Sequence, residues 1–131
     1  MKEAAKVNVP FWDYIGMKEV QMGDGKSEVR LEIFPDLLQR RGHVHGGVIA
    51  TLIDASIGSA VRSTLKENEV NATIELKTNY IRPGIGKLLV AKGTVAHRGA
   101  TLAVGKSEIF DENGKLIAMG SATFMIMDRD R

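Results

Sequence analysis

The chain has 131 residues, 18 of them Lys or Arg and 16 Asp or Glu, with 44% hydrophobic residues and a formal net charge of +2. That length makes one domain, 1–131, large enough to bury a core, and the composition is that of a folded protein rather than a disordered one. The lack of cysteine excludes disulfides, thiolate metal sites and cysteine nucleophiles and fits a cytoplasmic protein; the positive charge, spread without a basic block, does not imply nucleic acid but suits an anionic small ligand.

Residues 1–16 read as an N-terminal extension or short helix. They hold no apolar run long enough for a signal peptide, and "VPFWDYIGMKEV" mixes aromatics with charges as a short helix or a lid would. In "SEVRLEIF" Val29, Leu31 and Ile33 alternate strictly with Glu28, Arg30 and Glu32, the pattern of a half-buried strand. "GDGK" before it is a hairpin turn, so 17–22 is its partner. From Gly47 to about Leu65 length and composition predict a helix, apolar almost all round until Arg62 and therefore enclosed on every side. Asp54, two histidines and several glycines argue against a membrane span there. Four strands follow, Val70–Ile81, Leu88–His97, Thr101–Phe110 and Leu116–Met127, separated by "RPGIGK", "HRGA" and "DENGK". Such short connections predict antiparallel neighbours throughout.

Three of these strands carry small residues at alternate positions: Ala91 and Gly93; Ala103, Gly105 and Ser107; Ala118, Gly120 and Ala122. One face made of small residues lets a helix approach closely and lets the sheet curl. The predicted class is α+β, a curved antiparallel sheet wrapped around one long central helix.

Within "GHVHGGVIATLIDASIGSAV" the only formal charge is Asp54. A lone buried carboxylate is costly unless paired or hydrogen-bonded, so three roles compete: a structural acid bonded to Ser56 or Ser59, an acid at a crevice or subunit boundary, or a catalytic acid or base. "HVHGG" upstream leaves backbone N–H groups uncovered at the positive end of a helix, a place for an anion or a developing oxyanion. Gly47 and Asp54 are separated by about two turns, ~10 Å. One reacting carbon cannot touch both, so either they do separate jobs or two copies of the chain contribute one each.

"HVHGGVIATLIDASIGSA" resembles the HGG-x(6)-D segment of the hotdog-fold thioesterases, in particular the phenylacetic-acid-degradation (PaaI-like) branch. "ATIELKTNYIRPG" and "VAHRGATLAVGKSEIFDENGKLIAMGSATF" are similar to that family's later strands. The resemblance implies hydrolysis of acyl-CoA thioesters with no metal and no cofactor, in sites shared by a homodimer, with dimers pairing into a homotetramer. By position, it makes the Gly46 N–H, helped by Gly47, the donor that polarises the thioester carbonyl, and Asp54 of the partner subunit the base or nucleophile. His45 matches the family histidine, either shaping the turn or touching the thioester, and His43 is incidental. Gln39 stands where relatives often have asparagine, and Thr73 where a hydroxyl holds the attacking water. Strict alternation, however, puts Thr73 on one face with Glu75 and Lys77, which only a bulge, strand end or subunit junction would reconcile. Arg82 with Pro83, and Arg98 with Gly99, sit in turns from which arginines reach coenzyme phosphates, and Lys106 is a weaker candidate. The acyl pocket would be lined by the helix beyond Asp54 and by Phe11 and Trp12. The rival readings are a hotdog hydratase or dehydratase, which would need a proton-transfer pair, and a non-catalytic acyl-CoA sensor.

Overall fold

The computed structural model describes residues 2–3, as backbone only, and 9–130. In chain order the elements are β1 (Lys2–Glu3), α1 (Pro10–Ile15), β2 (Met17–Gly23), β3 (Lys26–Glu32), α2 (Gly46–Arg62), β4 (Glu69–Tyr80), β5 (Leu88–Arg98), β6 (Leu102–Asp111) and β7 (Leu116–Asp128). One antiparallel sheet runs β1-β2-β3-β5-β6-β7-β4, and α2 lies across it. The predicted β2–β3 hairpin forms, turning through Asp24 and Gly25 at positive φ.

One expected pairing is corrected. β4 and β5 are not neighbours: β5 pairs with β3, and β4 crosses the end of the sheet to become the far edge beside β7. "RPGIGK" is that crossing, not a hairpin; Val44 donates to the Gly84 carbonyl within it (2.8 Å). Turn residues mark where a chain bends and say nothing about which strand it meets next.

The small-residue stripe does what its spacing predicts. A Cβ built at Gly93 would overlap the Ser56 carbonyl oxygen, one at Gly105 would lie 2.5 Å from Ile57 Cγ2, and one at Gly120 would lie 2.9 Å from Ile53 Cγ2. Helix backbone therefore rests almost directly on strand backbone at Gly93, while at Gly105 and Gly120 isoleucine side chains of the helix fill the space a side chain would take. Gly93→Ala is expected to destabilise the fold by about 3 kcal/mol in urea denaturation, because neither backbone can retreat.

Two features of α2 differ from expectation. It stops at Arg62 rather than near Leu65, because the Ser63 and Thr64 hydroxyls turn back onto the Ala60 and Val61 carbonyls (2.7 and 2.6 Å) and satisfy the helix end. Nor is it enclosed on every side in one copy of the chain. Ile49, Leu52, Ile53, Ile57, Ala60 and Val61 are buried, but Gly47, Ala50, Thr51, Asp54 and Gly58 form a partly open stripe along the β4 side. The buried side is fixed by one charged contact: Glu19, its side chain 1% exposed, accepts from Ser59 (2.7 Å) and pairs with Arg62.

Candidate active site

The N-terminus of α2 is set by a small loop before it. Gln39 donates to the His43 carbonyl (2.8 Å), Leu38 and Val44 bridge, and His45 donates to the Leu37 carbonyl (2.9 Å). His45 is thus delivered as the N-cap, at φ −59° and ψ 138°, and its Nδ1 accepts the Gly47 N–H at 2.8 Å. This corrects the expectation for Gly47, whose N–H is spent on the cap and is not an open donor. Among the described residues the Gly46 N–H has no hydrogen-bond partner. Because Nδ1 accepts, the neutral His45 imidazole carries its proton on Nε2.

Asp54 follows eight residues after Gly46, about 12 Å along the helix, on the partly open stripe. Neither serine weighed as its partner reaches it: Ser56 bonds Ile53 O and Ser107, and Ser59 bonds Glu19. Its partner is Thr73, whose hydroxyl donates to Asp54 Oδ1 at 2.7 Å. The alternation that seemed to turn Thr73 away is broken by a bulge between Thr73 and Glu75. Before the bulge Asn71 and Thr73 pair with the buried Ile126 and Phe124; after it Leu76, Thr78 and Tyr80 pair with Ala122, Gly120 and Ala118. Directly paired residues share a face, so all five look towards α2, while Glu75 and Lys77 look away.

A cleft of about 390 Å³ opens at the helix start. Gln39, His43, Gly46, Tyr80, Arg82 and Pro83 line it above a floor of Val44 and Ile49. His43, read from the sequence as incidental, is in its wall. Gln39 also holds the loop, its Oε1 accepting the Arg41 N–H, and Arg82 donates to the Leu116 carbonyl (2.7 Å). Asp54 and Thr73 are not among the lining residues, so donor and acid do not converge within one chain.

Arg98 and Gly99 are not in the cleft either. A second bulge, between Val95 and His97, turns Arg98 towards α2, where it bonds Thr64 (3.1 Å), the Gly99 carbonyl and Glu69 (2.5 Å). The Lys66 N–H, and then the Arg98 guanidinium, hold the Glu69 carboxyl below its usual range. In one copy of the chain Arg98 is a structural cation, its charge already answered. Lys106 pairs with Ser121 on the sheet face away from α2. Trp12 packs against the core and Phe11 is exposed, so neither lines this cleft.

Tyr80 is the site residue that sequence reasoning missed. It lines the cleft, and its hydroxyl donates to the Gly46 carbonyl at 2.7 Å. Its only signal was an aromatic at the end of a strand, and a backbone-carbonyl partner leaves no trace in a sequence.

Comparison with known proteins gives this geometry its context. Residues 41–118 match the thioesterase superfamily model. The 1,4-dihydroxy-2-naphthoyl-CoA hydrolase of Listeria monocytogenes is 30% identical over 114 residues, 86% of this chain and 91% of that one. The medium/long-chain acyl-CoA thioesterase YigI of Escherichia coli is 32% identical over 96 residues, 63% of this chain and 62% of its own. The BH2602 protein of Bacillus halodurans, solved with CoA, superposes with a TM-score of 0.84 at 30% identity, covering 92% of this chain and 78% of that one. The sheet wrapped on one long helix is the hotdog fold, and the chain belongs to the thioesterase superfamily of thioester hydrolases.

Proposed function

We propose that the protein is a cytoplasmic acyl-CoA thioesterase of the PaaI-like branch, hydrolysing an acyl- or aryl-CoA to free acid and CoA at sites shared by two copies of the chain. The observation that carries this is the separation of two chemically suited groups on one helix. Gly46, whose N–H has no partner among the described residues, lines a cleft, and a half-buried carboxylate at Asp54 lies about 12 Å further on. β4 supplies the geometry that joins them. It is the edge of the sheet, and it exposes Ile74 (54%), Leu76 (40%) and Tyr80 (57%). In antiparallel self-pairing about a two-fold axis, the first half of one strand lies beside the second half of the other. A two-fold axis between Leu76 and Lys77 would set the partner's Thr73–Asp54 pair beside the Tyr80–Gly46 end of this chain.

In that site the thioester carbonyl oxygen accepts the Gly46 N–H. The Asp54 carboxylate either attacks the carbonyl carbon or takes a proton from a water that does. Negative charge collects on the carbonyl oxygen, and one preorganised donor there is worth about 3 kcal/mol. Collapse breaks the C–S bond; in the base route the proton Asp54 took from water passes to the leaving CoA sulfur, and in the nucleophile route the thiolate leaves and is protonated from water. If Asp54 has attacked, water then hydrolyses the mixed anhydride. No metal or cofactor enters the scheme, and Arg82 at the cleft rim is placed for a coenzyme phosphate. Apolar Leu102, Met125 and Met127 on the outer sheet face give dimers a surface on which to pair into tetramers. Among the described residues no helix is long and apolar enough to cross a membrane.

The test is thiol release from phenylacetyl-, hydroxybenzoyl-, 1,4-dihydroxy-2-naphthoyl- and short-, medium- and long-chain acyl-CoAs. Release from at least one is the expected result. Binding of an acyl-CoA without release would replace the hydrolase with a sensor, and hydration without thiol release would replace it with a hydratase.

A further inference from the structure

Tyr80 does more to Gly46 than line the same cleft. Its ring lies over the glycine: a Cβ there would sit 3.3 Å from the phenol oxygen and 3.5 Å from Cε1 and Cζ. Its hydroxyl donates to the Gly46 carbonyl at 2.7 Å. That carbonyl and the Gly47 N–H are the two ends of one peptide unit, and the Gly47 N–H donates to His45 Nδ1 at 2.8 Å. The result is a continuous relay: phenol O–H to carbonyl, amide N–H to imidazole. Hydrogen bonds in such a chain polarise one another, and the peptide plane is held at both ends.

We infer that Tyr80 is a positioning residue for thioester hydrolysis, which rests on the function proposed above. Its hydroxyl fixes the Gly46–Gly47 peptide, and through it both the aim of the adjoining Gly46 N–H and the ring of His45. His45, exposed and not among the residues lining the cleft, is thereby kept in the tautomer that carries its proton on Nε2. A phenol that merely staples β4 to α2 would contribute to stability alone. One that aims a donor contributes to the transition state, where the carbonyl oxygen is charged, more than to the bound ground state.

The two roles separate in Tyr80→Phe, which keeps the ring and removes the donor. The expected result is a kcat about tenfold lower, KM within about twofold of the parent, and a melting temperature nearly unchanged. Unchanged turnover, or a loss matched by loss of folded protein at the assay temperature, overturns the inference. A separate readout does not depend on turnover: ¹⁵N spectra of the folded parent should show His45 with an unprotonated Nδ1, and that resonance should move in Tyr80→Phe. A protonated Nδ1 in neutral His45 overturns the relay outright. If the parent releases no thiol from any acyl-CoA, the proposed function falls and this inference with it. If the parent is active and only the Tyr80 results fail, the hydrolase stands and the relay does not.

Discussion

Asp54→Asn is expected to cut kcat/KM for acyl-CoA hydrolysis by about a hundredfold or more while leaving the protein folded. Asparagine is nearly isosteric and can still accept from the Thr73 hydroxyl, so the contact that holds the side chain survives. What it loses is the negative charge and the basic oxygen, and only chemistry needs those. Thiol release measured beside the melting temperature and the oligomeric state separates the two. A variant that keeps parental activity would make Asp54 a structural acid. Isotopically labelled water in a single turnover then assigns its role: label passing through the Asp54 carboxylate marks a nucleophile, and label only in the product acid marks a base.

Gly46→Pro is the second large effect: it removes the Gly46 N–H and adds a ring whose Cβ would lie 3.3 Å from the Tyr80 hydroxyl oxygen, a contact the tyrosine must yield to. Gly46 is the first residue of α2, a position where proline is well tolerated because the N–H makes no helical bond. The preceding residue must avoid the α region, and His45 at ψ 138° already does. The helix is therefore kept while the proposed oxyanion donor is removed, with an expected loss of 10²- to 10³-fold in kcat, roughly that of one such donor elsewhere. The two variants together test the shared site. In a one-to-one mixture that exchanges subunits, half the dimers are mixed, and each mixed dimer has one site with a good Gly46 and a good Asp54. Activity should recover to about a quarter of the parent's. A site built within one chain would recover nothing.

Much of this was legible in the sequence where a local rule has one outcome. Strict alternation at 28–33 gave a strand, because one buried face leaves no other register. Alternate small residues on three strands gave the close helix contact, since strand positions without side chains leave room for the helix's isoleucines and, at Gly93, for its backbone. Asp54 stood out because a charge in an apolar run is costly. What stayed hidden depended on partners far along the chain. Arg98 stands in "HRGA", which reads as a turn, yet a bulge in β5 points it inward at Glu69 and Thr64. For Thr73 the alternation called for a bulge, a strand end or a subunit junction, and only the structure shows that it is a bulge. An extra residue in a strand is set by its neighbour's register, and composition carries no mark of it. Tyr80 was missed because its partner is a carbonyl, which every residue has.

The bulge in β4 also governs which substitutions the strand tolerates. It divides twelve residues sharing one hydrogen-bond ladder into two segments with opposite parity. In a saturation scan, odd positions up to Thr73 and even positions from Leu76 should resist exchange, while their alternates accept almost any side chain that favours extended backbone. Mutational tolerance along β4 would then switch phase at Ile74, which faces neither set of partners. The strand would then answer to two separate constraints, one for the neighbourhood of Asp54 and one for that of Gly46, with either end able to change without re-aiming the other.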